Sequence, residues 1–91
     1  MYFTYVLQCT NTKTNINKFY TGFSEKLPER FEDHISKSVK TTKSFDKIEL
    51  VYYEVCFSKK DAKARETQLK TGFGRGYLKR RLKNWLANKR E

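Results

Sequence analysis

No run in the 91 residues approaches the roughly 20 consecutive apolar side chains that a membrane-spanning helix needs, so a membrane span is excluded. Met1–Gln8 lacks a basic start followed by a long apolar stretch, and so does not read as a secretory signal. Cysteine occurs only at Cys9 and Cys56, too few for a disulfide framework or a four-ligand zinc site. Both lie in apolar runs. They read as buried reduced thiols of a cytoplasmic or nuclear protein, with a bridge between neighbouring strands as the alternative. A single histidine leaves no His/Cys metal cluster. A nucleophile elbow with Ser-His-Asp partners is absent, as is a phosphate-binding GxxxxGK[ST] loop. The glycines of Gly72-Phe73-Gly74-Arg75-Gly76 do not follow a strand and lack dinucleotide-binding spacing, so they read as a turn between helices. No internal repeat or low-complexity linker divides the chain. Its length fits one domain, residues 1–91.

Acidic residues are the scarce charge: 20 Lys and Arg face 10 Asp and Glu, leaving +10. The excess is one-sided. In residues 1–36, Lys13, Lys18, Lys26 and Arg30 balance Glu25, Glu29, Glu32 and Asp33, so residues 37–91 carry all of it. A basic half on a neutral half suggests a face addressed to a polyanion, with nucleic acid the commonest partner and anionic membrane second. Composition alone does not choose between them, and a basic soluble protein without a phosphate site fits as well.

What is abundant is aromatic: seven Phe, six Tyr and one Trp supply a small core with large rings. Tyr2–Thr10 is rich in β-branched and aromatic residues and is predicted as a strand. Asn11–Asn15 is a polar turn and Ile16–Gly22 the returning strand of a hairpin. Pro28 suits a first helical turn, and Leu27, Phe31 and Ile35 form one apolar stripe at i, i+4, i+8. Lys37–Lys47 reads as an exposed loop. Ile48–Phe57 is the most apolar strand and is expected at the centre of the sheet. Ser58 with Asp61 fits a helix start, with that helix running from Lys59 to about Lys70 and capped by Gly72. Gly72–Gly76 reads as a hinge and Tyr77–Asn88 as the last helix, with Leu78, Leu82, Trp85 and Leu86 inward. The order ββαβαα predicts an α+β fold, a small three-stranded antiparallel sheet flanked by three helices.

Three features stand out as chemistry. Ala62, Glu66 and Leu69 share the stripe that faces the sheet, and an inward carboxylate needs a positive partner, either a basic side chain or a bound cation. Arg30 and His34 are one turn apart beside the apolar stripe of the first helix. Arg30 is suited to a bidentate phosphate contact and His34 to proton transfer near neutral pH. An exposed Arg30 paired with Glu29 or Asp33, beside a surface His34, is the plain alternative. Tyr5 and Tyr20 lie in the two arms of the hairpin, where core or interface rings are the usual occupants.

Taken together, these residues resemble the GIY-YIG nuclease superfamily, above all its small stand-alone members, which are related to the N-terminal catalytic domain of the bacterial excision-repair incision subunit. Phe3-Thr4-Tyr5 matches the first motif and Tyr20-Thr21-Gly22 the second. Leu27–His34 resembles the family's LxxRxxxH helix, with Arg30 ten residues past Tyr20. Ala64-Arg65-Glu66 through Leu69-Lys70 resembles the helix that carries the metal-binding glutamate. Phe3 and Thr4 stand where the motif has Gly and Ile. Phe23-Ser24 replaces the Lys after the second motif, and Asn84 is the candidate for a late Asn.

The resemblance implies that Tyr5 and Tyr20 frame the reacting phosphate and attacking water, one of them as general base. Arg30 then neutralises the developing charge and His34 assists proton transfer. Glu66 holds a single divalent cation, Mg²⁺ or Mn²⁺. The implied activity is hydrolysis of DNA phosphodiesters, directed by nucleic-acid shape or by a protein partner. Lys40, Lys43, Arg65, Lys70, Arg75, Lys79 and Arg80 are the residues expected to grip the backbone, setting position and salt dependence rather than sequence. A non-catalytic nucleic-acid-binding module of the same fold is the alternative, and a basic protein for anionic membranes a weaker one.

Overall fold

The computed structural model describes residues 1–36 and 42–88. A hairpin of β1 (Tyr2–Asn11) and β2 (Ile16–Ser24) leads through α1 (Leu27–Ile35) to β3 (Lys47–Cys56). Then follow α2 (Lys59–Leu69), α3 (Gly72–Arg81) and a short α4 (Lys83–Asn88). The three-stranded sheet has the order β2-β1-β3, both pairs antiparallel. The fold is thus the expected α+β arrangement, with a fourth helix among the described residues. Among those residues, no helix is long and apolar enough to cross a membrane.

Period-two alternation along β1 builds two cores, one on each face of the sheet. Tyr5, Leu7 and Cys9 point one way and meet Leu27, Phe31, Phe45, Ile48 and Leu50 under α1. Val6 points the other way and meets Leu69 and Leu78 beneath α2 and α3. On that second face β1 also buries Thr4, Gln8 and Thr10. Thr4 is satisfied because its hydroxyl donates to the Ala62 carbonyl at 2.7 Å.

The central strand is therefore β1, not the more apolar β3. Both faces of β1 are covered, whereas β3 is an edge whose Tyr53 and Val55 remain exposed. Apolar content reported how greasy β3 is, and pairing decided where it sits. A register shift between Val6 and Leu7 separates Val6↔Tyr52 from Leu7↔Leu50. It leaves Val51 and Tyr52 packed together on the helical face. Cys9 and Cys56 are both free, Cys9 buried and Cys56 half-buried.

Two helix boundaries differ from expectation. Ser58 does occupy the N-cap of α2 with Asp61 in the first turn, but its side chain makes no capping bond. Gly72 does not cap α2, and Gly72–Gly76 is not a hinge: these residues are the first turns of α3. Thr71 supplies the start signal instead, its hydroxyl accepting from the Gly74 N–H and donating to the Gln68 carbonyl at 2.6 Å. No glycine has a positive φ. The glycine needed here is Gly74, because a Cβ on it would overlap the Leu69 backbone at the α2–α3 crossing. The predicted Tyr77–Asn88 helix is interrupted at Leu82, which closes α3 with its own N–H bonded to Leu78 O at 2.8 Å.

Opposite outcomes follow for two neighbouring glycines. Gly74→Ala should destabilise the domain by about 1–3 kcal/mol through overpacking. Gly72→Ala, whose Cβ has only the Arg75 guanidinium at 3.7 Å nearby, should be neutral or stabilising by up to about 1 kcal/mol. Urea unfolding of the two variants measures both.

Candidate active site

His34 is where α1 meets the central strand. It is fully buried, although α1 is a polar helix. Its Nε2 lies 2.9 Å from the Tyr5 hydroxyl and its Nδ1 2.9 Å from Thr42 Oγ1. Burial, followed by the positive charge of Arg30, lowers its pKa from 6.5 to about 4, with Asp33 pulling the other way. The ring is therefore neutral at physiological pH, with one nitrogen a donor and the other an acceptor. This corrects the expectation of a proton exchanger poised near neutrality.

Tyr5 crosses β2 at the one rung that permits it. Gly22 is its cross-strand partner, and a Cβ there would lie 2.5 Å from both Cζ and the hydroxyl of Tyr5. Any side chain at this position would displace the ring. The Tyr5 phenol is fully buried, and burial raises its pKa to about 12 against the lowering contact of Arg30. Tyr20 and Glu66 add smaller raising effects, so the Glu66 charge is felt at the Tyr5 hydroxyl although α2 packs on the far face. Arg30 interacts with both tyrosine hydroxyls, and its contact with Tyr5 is the largest effect raising its own pKa. Since a guanidinium only donates, the Tyr5 oxygen accepts from Arg30. The Tyr5 proton is then directed to His34 Nε2, and Nδ1–H to Thr42.

Tyr20 and Arg30 form the accessible side of this cluster. Tyr20 is half-buried, its ring edge-on to His34 with centroids 4.9 Å apart and 6.3 Å from the Tyr5 ring. The Arg30 side chain is 37% exposed and only 3.8 Å from the Asp33 carboxylate, a loose pairing that a phosphate can displace. Of the two tyrosines, Tyr5 is sealed from solvent and Tyr20 borders it.

Glu66 is a mostly covered carboxylate whose partner is Lys70 Nζ at 3.1 Å, one helical turn on. That ammonium is 55% exposed and can swing into water. Among the described residues no group of three or more His, Cys, Asp or Glu side chains gathers to hold a metal. A cation at Glu66 would thus have one protein carboxylate and mostly water. That donor set fits a hard ion such as Mg²⁺, which keeps several waters.

The remaining expected residues disperse. Lys40 lies outside the described residues, and Lys43, Arg75, Lys79 and Arg80 are exposed. Lys79 belongs to the face opposite Tyr5, bordering Gln8 and Thr10, so it cannot share a phosphate with Arg30. Arg65 is engaged within the domain and is removed from the backbone-gripping set. Its Nε donates to both Glu54 oxygens at 3.1 and 2.9 Å, one terminal nitrogen donates to Gln68 Oε1 at 2.6 Å, and its plane covers the Tyr77 ring at 4.7 Å. Sequence reasoning missed Thr42, which is buried inside a Ser/Thr/Lys-rich stretch read as an exposed loop. Its contact with His34 ties it to the site. Gly22 belongs to the second motif, and the close approach of the Tyr5 ring is the steric reason for it.

Residues 1–84 match the GIY-YIG catalytic domain family, and the chain belongs to that family, one of nucleases. A UPF0213 protein of Staphylococcus haemolyticus is 32% identical over 71 residues, covering 77% of this chain and 80% of the relative. No solved structure matches the chain.

Neutral burial of His34 makes stability depend on pH. The unfolded histidine takes up a proton near 6.5 and the folded one only near 4, so stability is lost as pH falls between these values, by up to about 3 kcal/mol. Urea unfolding between pH 8 and 4.5 should show this slope, and His34→Gln should reduce it.

Proposed function

We propose that this protein is a divalent-metal-dependent endonuclease that hydrolyses DNA phosphodiester bonds at the cleft where Tyr20 and Arg30 reach solvent, with Glu66 as the metal-holding carboxylate. The observation that carries the reading is the division of labour around Tyr5. A buried, neutral Thr42–His34–Tyr5 chain holds one hydroxyl in place, and the exposed sides of Tyr20 and Arg30 stand beside it. The Glu66 carboxylate, whose charge raises the pKa of Tyr5 slightly, supports a role for it beside these groups.

In this reading Arg30 leaves Asp33 and binds two non-bridging phosphoryl oxygens, matching their geometry with its planar fork. Charge gathers on those oxygens as water adds to phosphorus and the bond to the leaving oxygen breaks. A donor already in place stabilises that charge without reorganisation. Glu66 would hold the cation, which supplies a second positive charge at the phosphoryl group when bound. Tyr20 orients the attacking water. Tyr5 keeps Arg30 and His34 in register and, sealed from solvent, acts as a positioning residue. His34, with a pKa near 4, orients Tyr5 and does not store the proton. Target choice falls to DNA shape or a protein partner, because the described residues include no helix-turn-helix or zinc module to read bases.

With plasmid and branched DNA, Mg²⁺-dependent nicking is expected for the wild type. Glu66→Ala should abolish the metal response, Arg30→Ala should lower kcat about 10²–10³-fold, and Tyr20→Phe about 10²-fold. Between pH 6 and 8 the rate should show no ionisation belonging to His34. DNA binding that persists in every variant without a Mg²⁺-dependent product would identify a non-catalytic binding module instead.

A further inference from the structure

On the face of the sheet away from Tyr5 and His34, a groove of about 860 Å³ opens between the hairpin and α4. Its rim carries Lys47, Lys79 and Lys83, and its wall includes Phe19. Gln8 lies in the floor, only 7% exposed, and its amide oxygen is buried without a hydrogen-bond partner. Neighbouring polar groups do not serve it. Thr10 donates to Asn17 Oδ1 at 2.7 Å, and Asp46 accepts from the Thr12 amide and hydroxyl. Of the rim lysines, Lys47 has a loose carboxylate partner, Glu49 at 3.9 Å. A carboxamide placed in a sheet interior at the cost of an unmet acceptor is poor structural design, since an apolar residue of that shape would be more stable. Three ammonium groups with one loosely held acid among them make the rim attractive to a polyanion.

We infer that this groove is a second nucleic-acid site, which takes a single strand with its phosphates on Lys47, Lys79 and Lys83 and a base edge donating to Gln8. Phe19 offers a ring for that base to stack against, and exocyclic amines or ring N–H groups supply the donor that Gln8 lacks. A duplex hides the ring N–H groups and keeps its base faces stacked away from Phe19, so the groove selects unpaired nucleotides. The groove and the Tyr20–Arg30 cleft lie on opposite faces of one thin sheet. A strand or branch held in the groove therefore tethers a substrate without occupying the cleft. The inference uses the groove's own residues and stands whether or not the cleft cuts DNA.

Binding is best measured in EDTA on the full chain carrying Arg30→Ala, so that the cleft contributes no phosphate anchor and no cleavage occurs. The probe is a short fluorescein-labelled DNA single strand, with its duplex as comparison. Replacing Lys47, Lys79 and Lys83 together by Gln should weaken single-strand binding about tenfold or more. It should also reduce the slope of log K against log salt by about 2. Gln8→Leu should weaken binding while leaving Tm unchanged or higher, a combination that a purely structural Gln8 would not produce. In the unsubstituted groove, the Gln8 side-chain amide signals should move on titration. Affinity unchanged in the lysine variant, or Gln8 signals that stay fixed, would overturn the site. Duplex bound as tightly as single strand, with the same dependence on Gln8, would overturn the base-edge contact.

Discussion

The hydrogen bond between the Tyr5 hydroxyl and His34 Nε2 joins the central strand to the helix that carries Arg30. Three constraints converge on it. Gly22 must lack a side chain for the phenol to cross β2, Thr42 must return from the segment after α1 to satisfy the second ring nitrogen, and burial must keep the imidazole neutral. A charged histidine here would lose its acceptor and oppose Arg30. The site is thus specified from its buried side outward, and the groups left at the surface inherit their positions from it.

The two faces of the sheet solve different problems. The α1 face is aromatic and aliphatic around Tyr5, Leu7 and Cys9, with its polar atoms concentrated in one satisfied chain. The opposite face buries Thr4, Gln8 and Thr10 beside Val6, and α2 with α3 covers only part of it. Thr4 finds the Ala62 carbonyl and Thr10 finds Asn17, but Gln8 is left over. A strand that is polar on one buried face, part of it under an open groove, carries more than packing requires.

Positive charge is likewise sorted by location rather than by number. Arg65 is consumed by Glu54, Gln68 and the Tyr77 ring, which lock α2 and α3 to the edge strand. Lys70 is tied to Glu66, and Arg30 only loosely to Asp33. Lys47 of the edge strand and the lysines of the last two helices gather on the far side. A net charge of +10 therefore divides into structural, site and groove cations that composition treats alike.

The sequence by itself determined the strands, the order of elements and the candidacy of Tyr5, Tyr20, Arg30, His34 and Glu66, because these depend on local periodicity and on spacing along the chain. Of the expected α1 stripe, Leu27 and Phe31 do pack inward, but Ile35 is exposed and His34 is buried in its place. Only the tertiary structure decided that β1 and not β3 is central, since pairing is a non-local choice that apolar content does not encode. It alone sealed Tyr5 while leaving Tyr20 at the surface, and drove the pKa of His34 downward, because desolvation depends on what packs around a group. It also moved the helix start from Tyr77 back to Gly72, where close approach to Leu69 outweighs the poor helix propensity of glycine. Burial and partner choice arise between segments distant in sequence, and for that reason no local pattern reports them.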